Sequence, residues 1–288
     1  MNFIYFKQKI QSILIKYEKL NFINYIFYNL FKYHNLKYSN LILSNYEFNK
    51  QRLKLKSYPS EIYLNTTNLC NYRCSFCEIH YFYEYAKMLS GRVFSNNLTT
   101  VFINKFSDLF NRTFFLELSG ATGEPFLNPN FNKLIKLLKR RKIELMVTTN
   151  GSLIKNNIAE TLVDIQFDEI LVSLHSGDPN CYTELQGGNY DEVVNNLKYL
   201  IKYRNIKGVP KPRVSINCLI FKSNQHTIKD LLKHMKSIDV DRVNLNHYYA
   251  SRNKIQGDES FYFHPKEGNK FLHELYSYAK LLDLKLTP

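Results

Sequence analysis

The sequence predicts an α/β fold built on a parallel sheet, and two observations carry that prediction. From Tyr58 onward, short apolar runs alternate with amphipathic runs of helical spacing about every thirty residues, the rhythm of repeated βαβ units. The chain has 288 residues, 44% of them hydrophobic, which suits one large α/β domain with an appendage or two modest domains.

Met1 to about Lys56 has helical spacing, with Ile10, Ile13, Leu14 and Tyr17 at i, i+3, i+4, i+7, followed by Ile23, Ile26, Phe27 and Leu30. Its polar side is basic and its apolar side aromatic. Such a segment lies on a membrane surface or packs against the main domain; the second reading makes residues 1–57 an N-terminal helical extension and 58–288 the core domain. Ser57-Tyr58-Pro59-Ser60 ends the pattern. A strand follows, with Ile62, Leu64 and Thr66 alternating with Tyr63, Asn65 and Thr67. Leu98 to Phe110 reads as a helix with Asn97 as its N-cap, and Thr113 to Leu118 as a strand ending in SGATGEP. Then come a basic amphipathic helix (Phe131 to Arg140), a strand (Ile143 to Thr148) closing on Asn150-Gly151, a helix (Ile154 to Val163) and a strand (Glu169 to Leu174). After a further helix bearing Cys181, a longer one runs from about Tyr190 to Tyr203. Arg213 to Phe221 is a strand, Thr227 to Ile238 a helix, Arg242 to Tyr248 a strand and Glu267 to Leu282 a helix, which makes six strands after Tyr58. Ala250 to Pro265 is a polar loop after a strand, either a substrate cover or a surface connection.

The net charge of +14 invites an RNA or anionic-membrane partner. Lys, Asn, Ile, Tyr and Phe are all abundant and Trp is absent, however, a composition that AT-rich coding drift produces without any binding function, so the charge is a weak hint. No secretory signal is visible near Met1, and the uncharged run Leu20 to Phe31 is shorter than the ~20 apolar residues a membrane span needs. Three of the five cysteines share one loop, and Cys181 and Cys218 stand singly. That usage predicts a reducing, cytoplasmic setting.

Cys70, Cys74 and Cys77 carry the clearest chemistry. Three thiols spaced Cys-x3-Cys-x2-Cys can wrap one compact inorganic centre, and soft thiolates select zinc or an iron–sulfur cluster. Both want four ligands. A structural zinc site completed by His80 is one solution; a cluster with one iron left open for a substrate or cofactor is the other.

At these residues the chain resembles the radical S-adenosylmethionine (radical SAM) superfamily, which has this cysteine spacing and an aromatic residue, here Phe76, before the third cysteine. The resemblance implies an open partial (β/α)6 barrel and a [4Fe-4S] cluster on Cys70, Cys74 and Cys77, with the unique iron chelated by SAM. It implies reductive cleavage of SAM to a 5′-deoxyadenosyl radical that abstracts hydrogen from a peptide or protein, a sugar or an RNA base. An electron donor such as flavodoxin or ferredoxin comes with that chemistry.

SGATGEP resembles the family's Gly-Gly-Glu motif, with Thr122 in place of the first glycine; Thr122, Gly123 and Glu124 are then placed at the amino group of SAM. By the same resemblance Asn150 of TTNG, Ser173 at the end of the fourth strand and Asn217 on the fifth contact SAM, and Phe76 shields the site. His175 stands where relatives have an acid, and Gln186 where they have an arginine, which replaces a bidentate ion pair by neutral hydrogen bonds. His175 is either a local acid/base group or a structural histidine, Cys181 reads as a small buried residue, and Cys218 is a poor candidate for a second cluster. No cysteine follows Cys218, so the auxiliary-cluster domain of many relatives is absent: the chain is a core-only enzyme or a fragment. The rival class is a non-catalytic protein that keeps a metal for folding, or an inactive relic.

Overall fold

The computed structural model describes residues 35–77, 97–118, 123–248 and 259–287. Seven strands form one parallel sheet in chain order: β1 (Glu61–Tyr63), β2 (Phe115–Leu118), β3 (Glu144–Thr149), β4 (Glu169–Ser173), β5 (Arg213–Ile220), β6 (Arg242–His247) and β7 (Leu286–Thr287). When every strand lies beside its predecessor and points the same way, right-handed crossovers return along one face. The sheet therefore carries its helices on one side and curls away from them into an open arc with β1 and β7 as its edges. The arc has seven strands where the sequence predicts six. β7 pairs with β6 only at Val243 and Asn244, too short a run to show alternation.

Alternation positions the rest. Along β3, Leu145, Val147 and Thr149 are buried while Glu144, Met146 and Thr148 are half-buried on the inner face. On β5, Val214, Ile216, Cys218 and Ile220 go to the helix side and Ser215, Asn217 and Leu219 to the other, as the sequence predicts. The helix α1 (Leu36–Asn49) precedes the sheet, and α2 (Thr100–Lys105) and α3 (Ser107–Arg112) lie between β1 and β2. In α4 (Phe131–Arg140), Phe131, Leu134, Ile135 and Leu138 form the buried stripe and the lysines stay outside. α5 (Asn156–Asp164) packs on α7 (Tyr190–Ile206), whose N-cap Asn189 accepts from Glu192 N at 3.0 Å. α6 (Pro179–Gln186) starts at Asp178, which accepts from Cys181 N at 2.8 Å, and stops at Gly187 in the left-handed conformation, φ 71°. α8 (Ile228–Ser237) and α9 (Pro265–Leu281) complete the layer.

Two sequence expectations change here. The single helix from Leu98 to Phe110 is broken into α2 and α3 at Phe106 (φ −103°, ψ 36°). Asn97 does not cap it. The backbone at Asn97 bridges Thr67, Leu98 N donates to Thr66 O at 2.8 Å, and Thr99 occupies the cap position without a side-chain bond. The periodic residues Ile10 to Leu30 of the proposed extension lie outside the described residues. Within them α1 packs on α3, and Asn40 ties it to the core by accepting from Tyr58 N (2.7 Å) and donating to Tyr58 O (2.8 Å).

The N-terminal ends of the strands are closed by buried acids. Asp168 accepts from Lys139 Nζ (2.7 Å), Leu145 N (2.9 Å) and Lys211 Nζ; Glu169 accepts from Arg213 Nη2 (2.7 Å), Ser215 Oγ (2.9 Å) and Arg242. Asp241, itself exposed, accepts from the buried Arg204 Nη1 (2.6 Å) and from Val214 N (2.7 Å). Each charge is matched, as burial requires.

Candidate cluster and cofactor site

The loop that leaves β1 crosses the C-terminal ends of β2 and β3 and the end of α6. It is held there by backbone approach and neutral hydrogen bonds. Leu69 O accepts from Glu124 N at 2.7 Å, and Gly123 lies so close that a Cβ there would stand 2.5 Å from Leu69 O and 2.7 Å from Thr67 O. Only glycine permits that contact. One residue past Cys70, the Asn71 amide donates to Ser152 Oγ at 2.9 Å and accepts from Asn150 Nδ2 at 2.9 Å. Further on, Ser75 N donates to Leu185 O at 2.9 Å and the Cys74 thiol to Gln186 O at 3.6 Å. The Tyr72 ring lies against Gly188, where a Cβ would come within 2.1 Å of it, and its hydroxyl is 3.4 Å from that of Tyr182.

Cys70 reaches solvent, and Cys74 and Cys77 are half-buried. The surrounding protein raises the Cys74 thiol to about 12, by burial first and then by Cys77 and Cys70. Cys70 is raised too, by burial and then by Glu124 and Cys77, against the pull of Tyr72 N. The three sulfurs thus sit within electrostatic reach of one another, and a centre bound there must displace their protons. Among the described residues no three His, Cys, Asp or Glu side chains gather on a single-ion point. His80, the candidate fourth ligand of a zinc site, lies outside the described residues, as do Thr122 and Tyr249.

Glu124 is buried, and its carboxylate accepts from Thr149 Oγ1 (2.6 Å), Asn150 N (2.8 Å) and Phe126 N (3.3 Å). Burial raises it to about 7 against those bonds. This acid ties the segment after β2 to the turn after β3. Asn150 is likewise engaged, since its Oδ1 accepts from Ser152 N (3.0 Å) and Ser152 Oγ (2.7 Å) while its amide holds Asn71. Both residues therefore shape the loop that presents the cysteines.

Ser173, the last residue of β4, and Asn217, within β5, are register partners on the inner face, and Asn217 Oδ1 accepts from Asn246 Nδ2 at 2.6 Å. Phe76 inserts between His175 and Phe221, with ring centroids 5.1 Å from each, and Tyr248 lies 6.3 Å away. His175 is buried: its Nδ1 accepts from Leu219 N at 3.1 Å, its carbonyl from Asn224 Nδ2 at 2.6 Å, and burial lowers its imidazole to about 3. It is a neutral structural histidine beneath Phe76. Gln186, buried, donates to Ser173 O (3.0 Å) and accepts from His175 N (2.9 Å), so it stitches the end of β4 instead of facing a ligand. Cys181 is half-buried where the sequence suggests burial, because the first turn of α6 is open to solvent; Cys218 is buried under the helices.

Asn71, Tyr72, Ser152 and Gly188 are the positioning residues that sequence reading missed. Only the Gly187-Gly188 pair left a trace, as a turn signal.

Comparison with known proteins agrees with this geometry. A tungsten-containing aldehyde ferredoxin oxidoreductase cofactor-modifying protein of Pyrococcus furiosus is 25% identical over 184 residues, covering 63% of this chain and 49% of that protein. A probable GTP 3′,8-cyclase of Sulfolobus acidocaldarius is 28% identical over 206 residues, covering 71% of this chain and 60% of its own length. The chain thus spans about half the length of the curated relatives it matches. Streptococcus suis SuiB bound to S-adenosylmethionine shares the fold, with a TM-score of 0.61 at 19% identity over 87% of this chain and 51% of that one. The Radical SAM superfamily model matches residues 64–235, more than half of the chain and the whole of the cysteine loop, β2 to β5 and the segments between them. By that match, on a parallel arc with three loop cysteines at its C-terminal mouth, the chain belongs to the radical SAM superfamily.

Proposed function

We propose that this chain is a radical SAM enzyme that holds a [4Fe-4S] cluster on Cys70, Cys74 and Cys77 and acts on an organic substrate through SAM. The residues present fit such a cluster: three soft donors share one electrostatic neighbourhood on a loop whose backbone is fixed from three sides. When bound, the cluster and SAM supply a 5′-deoxyadenosyl radical able to abstract hydrogen. The protein's part is placement. Gly123 lets the segment after β2 lie on Leu69, Glu124 locks that segment to the β3 turn, and Asn71 fixes the backbone beside Cys70. Glu124 accepts three internal hydrogen bonds, which leaves a lone pair of Oε2 and the backbone of Gly123 to meet the amino group of SAM. Ser173 at the end of β4 and Asn217 beside it on β5 offer neutral polar groups, and Phe76 excludes water beside Cys77.

The observation that carries the reading is the three-sided clamp on the cysteine loop at the C-terminal ends of the strands, where parallel α/β folds assemble their sites. Anaerobic reconstitution with iron and sulfide tests it. The expected result is a cluster with about four irons per chain and 5′-deoxyadenosine formed from SAM with dithionite. Tight zinc in place of iron, with no deoxyadenosine under any reductant, sinks it.

A further inference from the structure

The C-terminal end of α1 and the loop after it expose large apolar and basic side chains together. Leu53 is 100% exposed, Phe48 82% and Leu55 61%. Lys50, Arg52, Lys54 and Lys56 stand among them, also exposed, and residues 48–60 contain no acid. The segment is built to hold this pose. Glu47, fully buried, accepts from Lys56 N (2.9 Å) and Ser57 N (3.1 Å), its carbonyl accepts from Arg52 N (3.0 Å), and Arg52 lies 5.3 Å over the Tyr46 ring. The acid next in sequence to the loop is thus turned inward, and three large apolar side chains are turned out.

Exposed apolar groups of this size, ringed by one sign of charge, mark an interaction site. We infer that the 48–56 loop docks the chain on an anionic lipid surface, with Phe48, Leu53 and Leu55 entering the headgroup–acyl boundary and Lys50, Arg52, Lys54 and Lys56 meeting lipid phosphates. The two leucines favour lipid over nucleic acid: an acyl boundary takes them up, whereas bases stack on aromatic faces, and of the three apolar side chains only Phe48 offers one. The loop precedes β1 and the cysteine loop follows it, so docking by this end leaves the mouth of the arc free.

Flotation of the full purified chain with phosphatidylcholine vesicles, with and without phosphatidylglycerol, tests this. The chain is expected to float with the anionic vesicles only, and to be released as salt rises. Leu53→Ser with Leu55→Ser should weaken partitioning about tenfold or more, and Lys54→Ala with Lys56→Ala about fivefold per cation removed. All four positions are exposed, and an unchanged circular-dichroism melt confirms that the variants fold. Absence of binding to anionic vesicles at low salt, equal binding to neutral ones, or variants that bind like the parent each overturn the inference. A dimer dissolved by the leucine pair would assign the patch to a second copy. Partition shown by the parent, and not by the leucine variants, only once residues 1–34 are deleted would assign it to that stretch. An RNA oligomer held equally well by both forms, and displacing vesicles, would assign the cations to nucleic acid.

Discussion

The two ends of the strands are stabilised by different chemistry. At the N-terminal end, buried Asp168 and Glu169 and exposed Asp241 each meet lysine or arginine, and the charges cancel locally. At the C-terminal end the partners are neutral: asparagine, serine and threonine side chains, backbone groups, glycines in close contact, and Glu124 with its carboxyl raised to about 7. An end sealed by ion pairs has no valence left for a ligand. An end held by neutral bonds and glycine contacts can receive a charged cofactor and its own metal without first undoing an ion pair.

The largest test of this contrast is Cys74→Ala. Reconstituted iron should fall from about four per chain to near none and deoxyadenosine formation should disappear, while the metal-free fold melts as before, since the thiol's one bond is a 3.6 Å contact with Gln186 O. A variant that still assembled the cluster would break the assignment of the site.

Asp168→Ala should do the reverse. It strands Lys139, Lys211 and Leu145 N at the sealed end. Because the lysines are partly exposed, a loss of about 2–4 kcal/mol is expected in urea unfolding, with iron loading per folded molecule unchanged. Loss of cluster without loss of stability would show that the two ends are not independent.

Glu124→Gln addresses the neutral end through pH. The native carboxyl is raised from 4.5 to about 7, so the folded state binds more protons than the unfolded state in between. Its contribution is fully present below pH 4.5 and is lost as pH rises through 7, by about 3 kcal/mol at most. The metal-free parent should lose stability across that window and Glu124→Gln should lose less; identical slopes would count against a buried, weakly ionised acid.

What was legible in the sequence follows the same division. The cysteine loop announced itself by spacing, and β2 to β6 by runs whose alternation matches their two environments. The clamp did not, because Asn71, Ser152 and Gly188 are separated by stretches of chain that only the parallel arc brings together. Gln186 misled for a related reason: its position suggests a ligand, yet its amide spans Ser173 O and His175 N across the end of β4. β7 and the break at Phe106 rest on two residues and on one pair of dihedrals, below what periodicity can register.

The smallest expected effect belongs to Ser173→Ala, and it separates a ligand role from a structural one. Ser173 ends β4 on the inner face beside Asn217, and among the described residues no side chain pairs with its hydroxyl. Removing the hydroxyl therefore leaves no buried partner behind, and unfolding should shift by less than about 0.5 kcal/mol. A neutral hydrogen bond to SAM would be worth about 1 kcal/mol, so the dissociation constant of SAM for the reconstituted protein should rise several-fold while the maximal rate of deoxyadenosine formation holds. An unchanged constant would move the SAM contacts off the end of β4, and a fall in stability instead would mean that this polar group belongs to the fold.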